Sequence, residues 1–417
     1  MRRTLDIWPP LPIVIDHLSP SLWDVPGEVD DIVAALERND RVCNIYLKGV
    51  ARSPLQIILA KMHVSFPALT HLKLLSEFGV SESAVVPDSF LGGSAPRLRS
   101  LSLGRIPFPG LPKLLLSATN LVYLSLSNVP RSGYISPEAM ATCLSTLTRL
   151  NSLGIDFQFD FRPPPDQESR RPPPPTRSVL PALKTFYFGG FSEYLEDLVA
   201  RIDTPRLFEY WRFNFLFLHQ IILDTPQLAQ FLTRIPKLKT CKEAQAILFD
   251  GTVAVRLYLP FTRARRLFLS TACTGNALVL QLLFLAQVCR SSLSLLPSLK
   301  HFGIIDGSGV SRQKGPDDFE INQWLEILLP FATAENLYLS KKIVPRIAPA
   351  LELVGESPTE VLPSLQSLFL QMPYPSGSVE DAIGKFVSAR QLSGRPIVVH
   401  DWDGRSWSGP RQVDVDD

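Results

Sequence analysis

The sequence has no surplus of either charge: 42 Lys and Arg stand against 40 Asp and Glu. That balance gives no electrostatic case for a nucleic-acid partner, which would need a clustered basic surface. Cysteine is scarce and odd in number: Cys43, Cys143, Cys241, Cys273 and Cys289. No two are spaced as CxxC, so they read as buried reduced thiols rather than a disulfide framework. No apolar run is long enough to span a bilayer. The most apolar stretch, ALVLQLLFLAQV (277–288), is about half the required length and holds two glutamines. The opening MRRTLDIWPPLPIVI carries two arginines but no long apolar core before Trp8 and Pro9, unlike a signal peptide. No membrane partner and a cytoplasmic or nuclear location are therefore expected.

Chemistry-bearing motifs are equally sparse. Gly92-Gly93 is followed by Ser94-Ala95-Pro96, without the lysine of a phosphate loop. The nucleophile elbow G-x-S-x-G is absent. The six histidines, His17, His63, His71, His219, His301 and His400, form no metal-ligand pair at helical spacing. The expectation is a protein with no catalytic residues, no cofactor and no metal, hence no enzyme. An enzyme with a site assembled from distant residues is the competing class.

What the sequence has in quantity is apolar residues, 45%, and proline, 37 residues. It also repeats itself. Seven ten-residue segments align without a gap: SFPALTHLKL (65–74), SAPRLRSLSL (94–103), SATNLVYLSL (117–126), TLTRLNSLGI (146–155), VLPALKTFYF (179–188), LLPSLKHFGI (295–304) and VLPSLQSLFL (361–370). Each has Leu at its fifth position and apolar residues at its eighth and tenth. RNDRVCNIYL (38–47), PFTRARRLFL (260–269) and PFATAENLYL (330–339) fit less well, and DTPRLFEYWR (203–212) fails at Arg212. The L-x-x-L-x-L core is a short strand whose alternate residues point inward. One such strand cannot bury its apolar side alone, so copies stack as a parallel sheet joined by crossovers.

Helical periodicity appears between these cores. EVDDIVAALER (28–38), SPEAMATCLSTL (136–147), EYLEDLVARI (193–202) and TPQLAQFLTRI (225–235) each gather apolar residues on one face. Ser136 is placed to cap its helix, with Pro137 behind it. The fold class expected is α/β: a leucine-rich-repeat solenoid over residues 1–400, a curved parallel sheet inside and helices outside, with irregular repeats of about 23–35 residues. A gap of 57 residues between Tyr210 and Leu267 leaves room for one poorly matching repeat, near AILF (246–249) or VRLYL (255–259). The proline- and arginine-rich segment 161–178 reads as an exposed insertion. Residues 401–417 read as a polar, frayed tail.

The phrases PDSFLGGSAPRLRSLSL (87–103), SEYLEDLVARIDTPRL (192–207), DTPQLAQFLTRIPKL (224–238) and RIAPALELVGE (346–356) carry a resemblance. With the repeats, they resemble the leucine-rich-repeat region of the large F-box-like protein family of mushroom-forming fungi, over roughly residues 5 to 400. The resemblance implies a substrate receptor whose N-terminal F-box docks on a cullin-type ubiquitin ligase while the repeats hold a protein target. One departure matters. PLPIVIDHLSPSLWDVPGEVDDIVAALERNDRVCNIYL (10–47) imitates an F-box at Leu11-Pro12, but Pro20, Pro26 and Gly27 interrupt it. It reads better as a helix over 28–38 feeding a strand over 42–47, so the chain is expected to begin after an F-box. A free-standing repeat scaffold unrelated to ubiquitin transfer is the alternative.

In such a fold the residues between the inward leucines point out of the sheet and form the binding face. His71, Lys73, Tyr123, Tyr187, His301, Tyr338 and Phe369 are the candidate partner-binding residues. The tyrosines and Phe369 are read either as exposed anchors, because aromatic side chains supply binding energy at low entropic cost, or as residues that pack on neighbouring strands and cover the sheet. Lesser candidates are the basic cluster Arg263, Arg265 and Arg266, and the P-x-x-P match of Pro172 and Pro175, each weighed against a solvated surface or an inert loop.

Overall fold

A computed structural model of the chain describes residues 11–17, 27–77, 84–158, 176–207, 210–216, 225–258, 265–272, 277–293, 296, 298–307, 318–356, 361–373 and 377–404. They divide into two compact units: Met1–Leu216 with Thr225–Ile235, and Phe217–Asp224 with Pro236–Asp417.

The first unit alternates strands with helices. Its strands are β1 (Ile13–His17), β2 (Val42–Val50), β3 (His71–Ser76), β4 (Ser100–Gly104), β5 (Tyr123–Val129), β6 (Ser152–Phe157), β7 (Ser178–Val179), β8 (Thr185–Gly190), β9 (Ile202–Asp203) and β10 (Tyr210–Leu216). Its helices are α1 (Glu28–Leu36), α2 (Arg52–Lys61), α3 (Leu111–Ser117), α4 (Pro137–Thr146), α5 (Ser192–Arg201) and α6 (Pro226–Thr233). The main sheet runs β1-β2-β3-β4-β5-β6-β8-β10 and is parallel throughout. β7 and β9 form a separate parallel pair. This serial stacking is compatible with a solenoid-like α/β fold.

Register comes from the leucine spacing. Ile45, Leu72, Leu101, Leu124, Leu153, Phe186 and Trp211 stand side by side across the sheet, and all are buried. Each such side chain taken from water contributes about 1.5–3 kcal/mol. A recurring turn delivers the chain to each strand. The amide of the repeat's fifth residue donates to the carbonyl three residues back: Leu69 to Phe66, Leu98 to Ala95, Leu121 to Ala118, Leu150 to Leu147, Leu183 to Leu180 and Leu207 to Thr204. Proline follows the first residue in four of these, as Pro67, Pro96, Pro181 and Pro205. Its fixed φ suits the second position of a turn, which is where much of the proline goes.

Helix ends have specific partners. The Ser136 hydroxyl accepts from the Ala139 amide at 3.2 Å and caps α4 as expected. The Glu196 carboxylate on α5 accepts from the first-turn amides of Gln227 and Leu228 on α6, at 2.8 and 2.7 Å. It thus caps the next helix, where negative charge is favoured.

The second unit contains β11 (Glu243–Phe249), β12 (Thr252–Tyr258), β13 (Arg265–Ala272), β14 (His301–Asp306), β15 (Asn336–Leu339), β16 (Ser367–Gln371) and β17 (Val398–Trp402). Its helices are α7 (Ala277–Val288), α8 (Asp318–Leu328), α9 (Val344–Glu356) and α10 (Ser378–Leu392). The strands are ordered β13-β12-β11-β14-β15-β16-β17. β12 is antiparallel to both β11 and β13, whereas β11 and β14–β17 pair in parallel. The same turn recurs from Leu296 to Leu299, from Phe331 to Ala334 and from Leu362 to Leu365.

Three expectations need correction. The 57-residue gap holds more than one strand: AILF lies in β11, which pairs in parallel with β14 as a repeat strand would, and VRLYL lies in β12, which runs antiparallel to it. They are the two arms of a hairpin, β11 and β12, joined at Asp250-Gly251 with Gly251 at φ +66°. The strand in DTPRLFEYWR is displaced by one residue. Trp211 and Phe213, not Tyr210 and Arg212, stand beside Phe186 and Phe188 and are buried. A one-residue slip exchanges the two faces of a strand, so Arg212 points out and the apolar rule is kept. Finally, the polar tail does not begin at residue 401. Asp401 and Trp402 belong to β17, and Trp402 is buried because its indole packs against the Tyr338 ring.

Most of the 161–178 insertion lies outside the described residues; its last residue, Ser178, opens β7. Leu11-Pro12 leads into strand β1, paired with β2, rather than into a helix. Cys43, Cys143, Cys241 and Cys289 are unpaired, and Cys273 lies outside the described residues. Burial raises the thiol pKa of the last two described, Cys241 to about 12 and Cys289 further still. Among the described residues, no helix is long and apolar enough to cross a membrane.

Candidate binding face

In the first unit the face opposite the leucines is set by alternation. One row reads Asn44, His71, Ser100, Tyr123, Ser152 and Thr185 from β2 to β8. The next reads Tyr46, Lys73, Ser102, Ser125, Gly154 and Tyr187, continued by Arg212. A third holds Leu75, Gly104 and Ser127, then Asp156, Gly189 and Asn214. Larger side chains on β2–β3 and on β8–β10 therefore flank a floor of serine and glycine on β4–β6. Tyr123 rises from that floor and is 42% exposed.

The β2–β3 wall is partly committed. His71 Nδ1 lies 3.0 Å from Asn44 Oδ1 and 2.9 Å from Thr70 Oγ1. Lys73 is half-buried and has no ion-pair partner among the described residues. The opposite wall is a polar network. The Tyr187 hydroxyl donates to Asp156 Oδ1 at 3.3 Å and accepts from Asn214 Nδ2 at 3.2 Å; Arg212 Nε donates to Asn214 Oδ1 at 3.2 Å. The Asn128 amide also donates to Asp156 Oδ2, at 3.4 Å. Burial pushes the Asp156 carboxyl above the ordinary carboxylate range, against the pull of Asn128, Tyr187 and Arg212. Burial, with the Asp156 charge beside it, likewise raises the Tyr187 phenol.

Asp156, Arg212 and Asn214 are absent from the sequence-based set. Arg212 is hidden from the repeat pattern by the one-residue shift of β10, and an isolated outward acid reads as solvated surface. Gly189 is the signal that could have found Asp156. The two are side by side, and a Cβ on Gly189 would overlap the Asp156 carboxylate. Glycine there makes the room.

The second unit's face is aromatic. Gln245, Gly303, Tyr338, Phe369 and His400 share one row. Tyr338 and Phe369 stack at 4.4 Å, Phe369 and His400 at 4.8 Å, and Trp402 meets Tyr338 edge-on at 5.6 Å. For Tyr338 this decides between the two readings: it is 1% exposed, enclosed by its aromatic neighbours, and no exposed anchor. Phe369 is half-buried in the same stack. His301 accepts from Asn336 Nδ2 at 3.0 Å, and burial pulls it below the ordinary histidine range, with Glu335 opposing and Lys300 and Lys242 assisting.

The structure thus brings His71, Lys73, Tyr123 and Tyr187 onto one face of the first unit, and His301, Tyr338 and Phe369 onto one face of the second. Arg265 and Arg266 lie in β13, while Arg263, Pro172 and Pro175 lie outside the described residues. Among the described residues no group of His, Cys, Asp and Glu could hold a metal ion. A cavity of about 10 Å³ bounded by Leu103, Arg105, Phe108, Leu126 and Gly133 has room for at most one water. No family model matches the chain, and neither does any curated protein.

Proposed function

We propose that this chain is a non-catalytic protein-binding module built of leucine-rich repeats, with the polar sheet face of its first unit as the target-binding surface. One observation carries the reading: that face collects Lys73, Tyr123 and Tyr187 in adjacent rows across parallel strands, while the leucine ladder is buried on the other side. The resemblance to the F-box-like family of mushroom-forming fungi supports a role as the target-recognition part of a ubiquitin ligase subunit. A second reading, a free-standing repeat scaffold, is favoured by the strand at Ile13–His17, where the family's F-box would set helices.

Affinity purification of the tagged chain from native cells, followed by mass spectrometry, separates the two. Recovery of the cullin scaffold and its adaptor supports the ligase reading; a reproducible partner set without them supports the scaffold. Tyr123→Ala should weaken the recovered target at least tenfold, about 1.4 kcal/mol. Undiminished affinity, with the thermal melt unchanged, would remove this face from the assignment.

A further inference from the structure

The floor of the first unit's face is unusual in its hydroxyls. Ser100, Ser102, Ser125, Ser127 and Ser152 point from three successive strands, and none of their hydroxyls has a hydrogen-bond partner among the described residues. Ser102 is only 8% exposed, between Lys73 and Ser125 in its row. The Thr185 hydroxyl, also on this face, is buried without a partner. Hydroxyls without a protein partner bind water, and can exchange it for a ligand that both donates and accepts. Glycines keep the floor low: a Cβ on Gly104 would press on Leu75 and on the Ser127 hydroxyl.

The walls add charge. Asp156 is hydrogen-bonded by Tyr187 and faces Arg212, so that side is internally compensated. Lys73, on the other side, is not. Among the described residues, the uncommitted carboxylates of this face nearest to it in register are Asp16, two strands away, and Glu77, four residues along. Strand geometry puts both backbones about 10 Å or more from that of Lys73.

We propose that this trough receives an extended, non-helical segment of a partner protein, which crosses β4–β6, pairs its backbone with the serine hydroxyls and sets an acidic side chain against Lys73. The span from β3 to β8 covers four strand spacings, about 19 Å, or roughly six extended residues. A helix has already paired its backbone internally and would leave the floor hydroxyls unmet. The proposal rests on the reading of this face as the target surface and specifies what that surface takes.

The test is fluorescence polarisation of an array of synthetic, unstructured decapeptides, half carrying Asp or Glu and half carrying Lys or Arg, against the full chain. Acidic members should bind at roughly 100 µM or tighter and at least about tenfold better than basic ones. Lys73→Glu should invert that preference, and Ser125→Leu should abolish binding with the circular dichroism melt unchanged. Three results overturn the proposal: no member binds, the acidic preference survives Lys73→Glu, or only helix-forming members bind. Should a target recovered from cells be lost with Tyr123→Ala yet survive both trough variants, the face reading stands and the extended-segment proposal falls. Survival of all three variants sinks both.

Discussion

The two units build the same kind of buried ladder and then use the other side of the sheet differently. In the first, an unbroken parallel run puts serine and glycine on the central strands and leaves Tyr123 exposed. In the second, a reversed strand interrupts the run, and the exposed side is roofed by the chain's own aromatics, Tyr338, Phe369, His400 and Trp402. Outward position in a repeat is therefore not the same as availability. A tyrosine beside serine stays accessible, whereas a tyrosine beside phenylalanine and tryptophan finds partners at home.

The comparison can be broken at several points. The largest effect is expected in the second unit's helical layer, where Arg346 Nη1 lies 2.6 Å from each Glu320 oxygen and both side chains are nearly buried. Glu320→Ala removes the carboxylate that both this guanidinium and the Trp324 indole nitrogen donate to, and should cost about 3–5 kcal/mol in urea denaturation. Adding Arg346→Met should recover much of it, and a double variant no better than the single one would argue against the pair as the cause. Next comes Trp402→Ala, expected to cost about 3 kcal/mol and to open Tyr338 to nitration. A Tyr338 that stays protected would mean that Trp402 is not the roof, and the contrast between the faces would need another cause.

Smaller still is Gln281→Leu. This fully buried side chain on α7 donates to the carbonyls of Phe249 and Thr252 at 2.7 and 3.1 Å, the two ends of the β11–β12 turn. Its loss should cost roughly 1–3 kcal/mol and speed amide exchange in β12 while β4–β6 are unaffected. The smallest effect is a pH dependence. Burial raises Asp156 in the folded chain, so the folded state holds its proton to higher pH than the unfolded state. Stability should therefore fall as pH rises through and just above the ordinary carboxylate range, and Asp156→Asn should remove that slope. His301 works in the opposite sense. Lowered by burial, it is protonated first in the unfolded chain, so acidification through the ordinary histidine range should destabilise the fold, an effect His301→Gln should abolish.

Much of the fold was legible because leucine spacing is a direct record of strand phase. All eleven aligned segments, including the four imperfect ones, end in strands. The failures have local physical reasons. An extra residue after Leu207 shifted β10, which matching at fixed positions could not register. The hairpin was signalled by Asp250-Gly251 between alternating apolar arms, a turn cue that a search for parallel repeats passes over. On the candidate face, the outward position of Lys73, Tyr123 and Tyr187 is readable from alternation alone. Enclosure of Tyr338 was not, because it depends on which side chains three neighbouring strands bring to the same row. Asp156 needed the glycine beside it, a relation visible only once Gly189 is known to be its register partner.

The turn that precedes each strand has a consequence for how this chain can change over time. Because Leu150 closes on Leu147 and Leu183 on Leu180 before their strands begin, β6 and β8 take their phase from their own few preceding residues, whereas β10 slips by the one residue added after its turn. The interval from Leu153 to Phe186 is 33 residues, against 23 from Leu101 to Leu124, yet Ser152 still meets Thr185 as squarely as Ser100 meets Tyr123. Length errors are absorbed where they arise and are not handed on. Segments between a helix and the next turn are thus free to lengthen, shorten or be exchanged by recombination, while the face they frame keeps its grid.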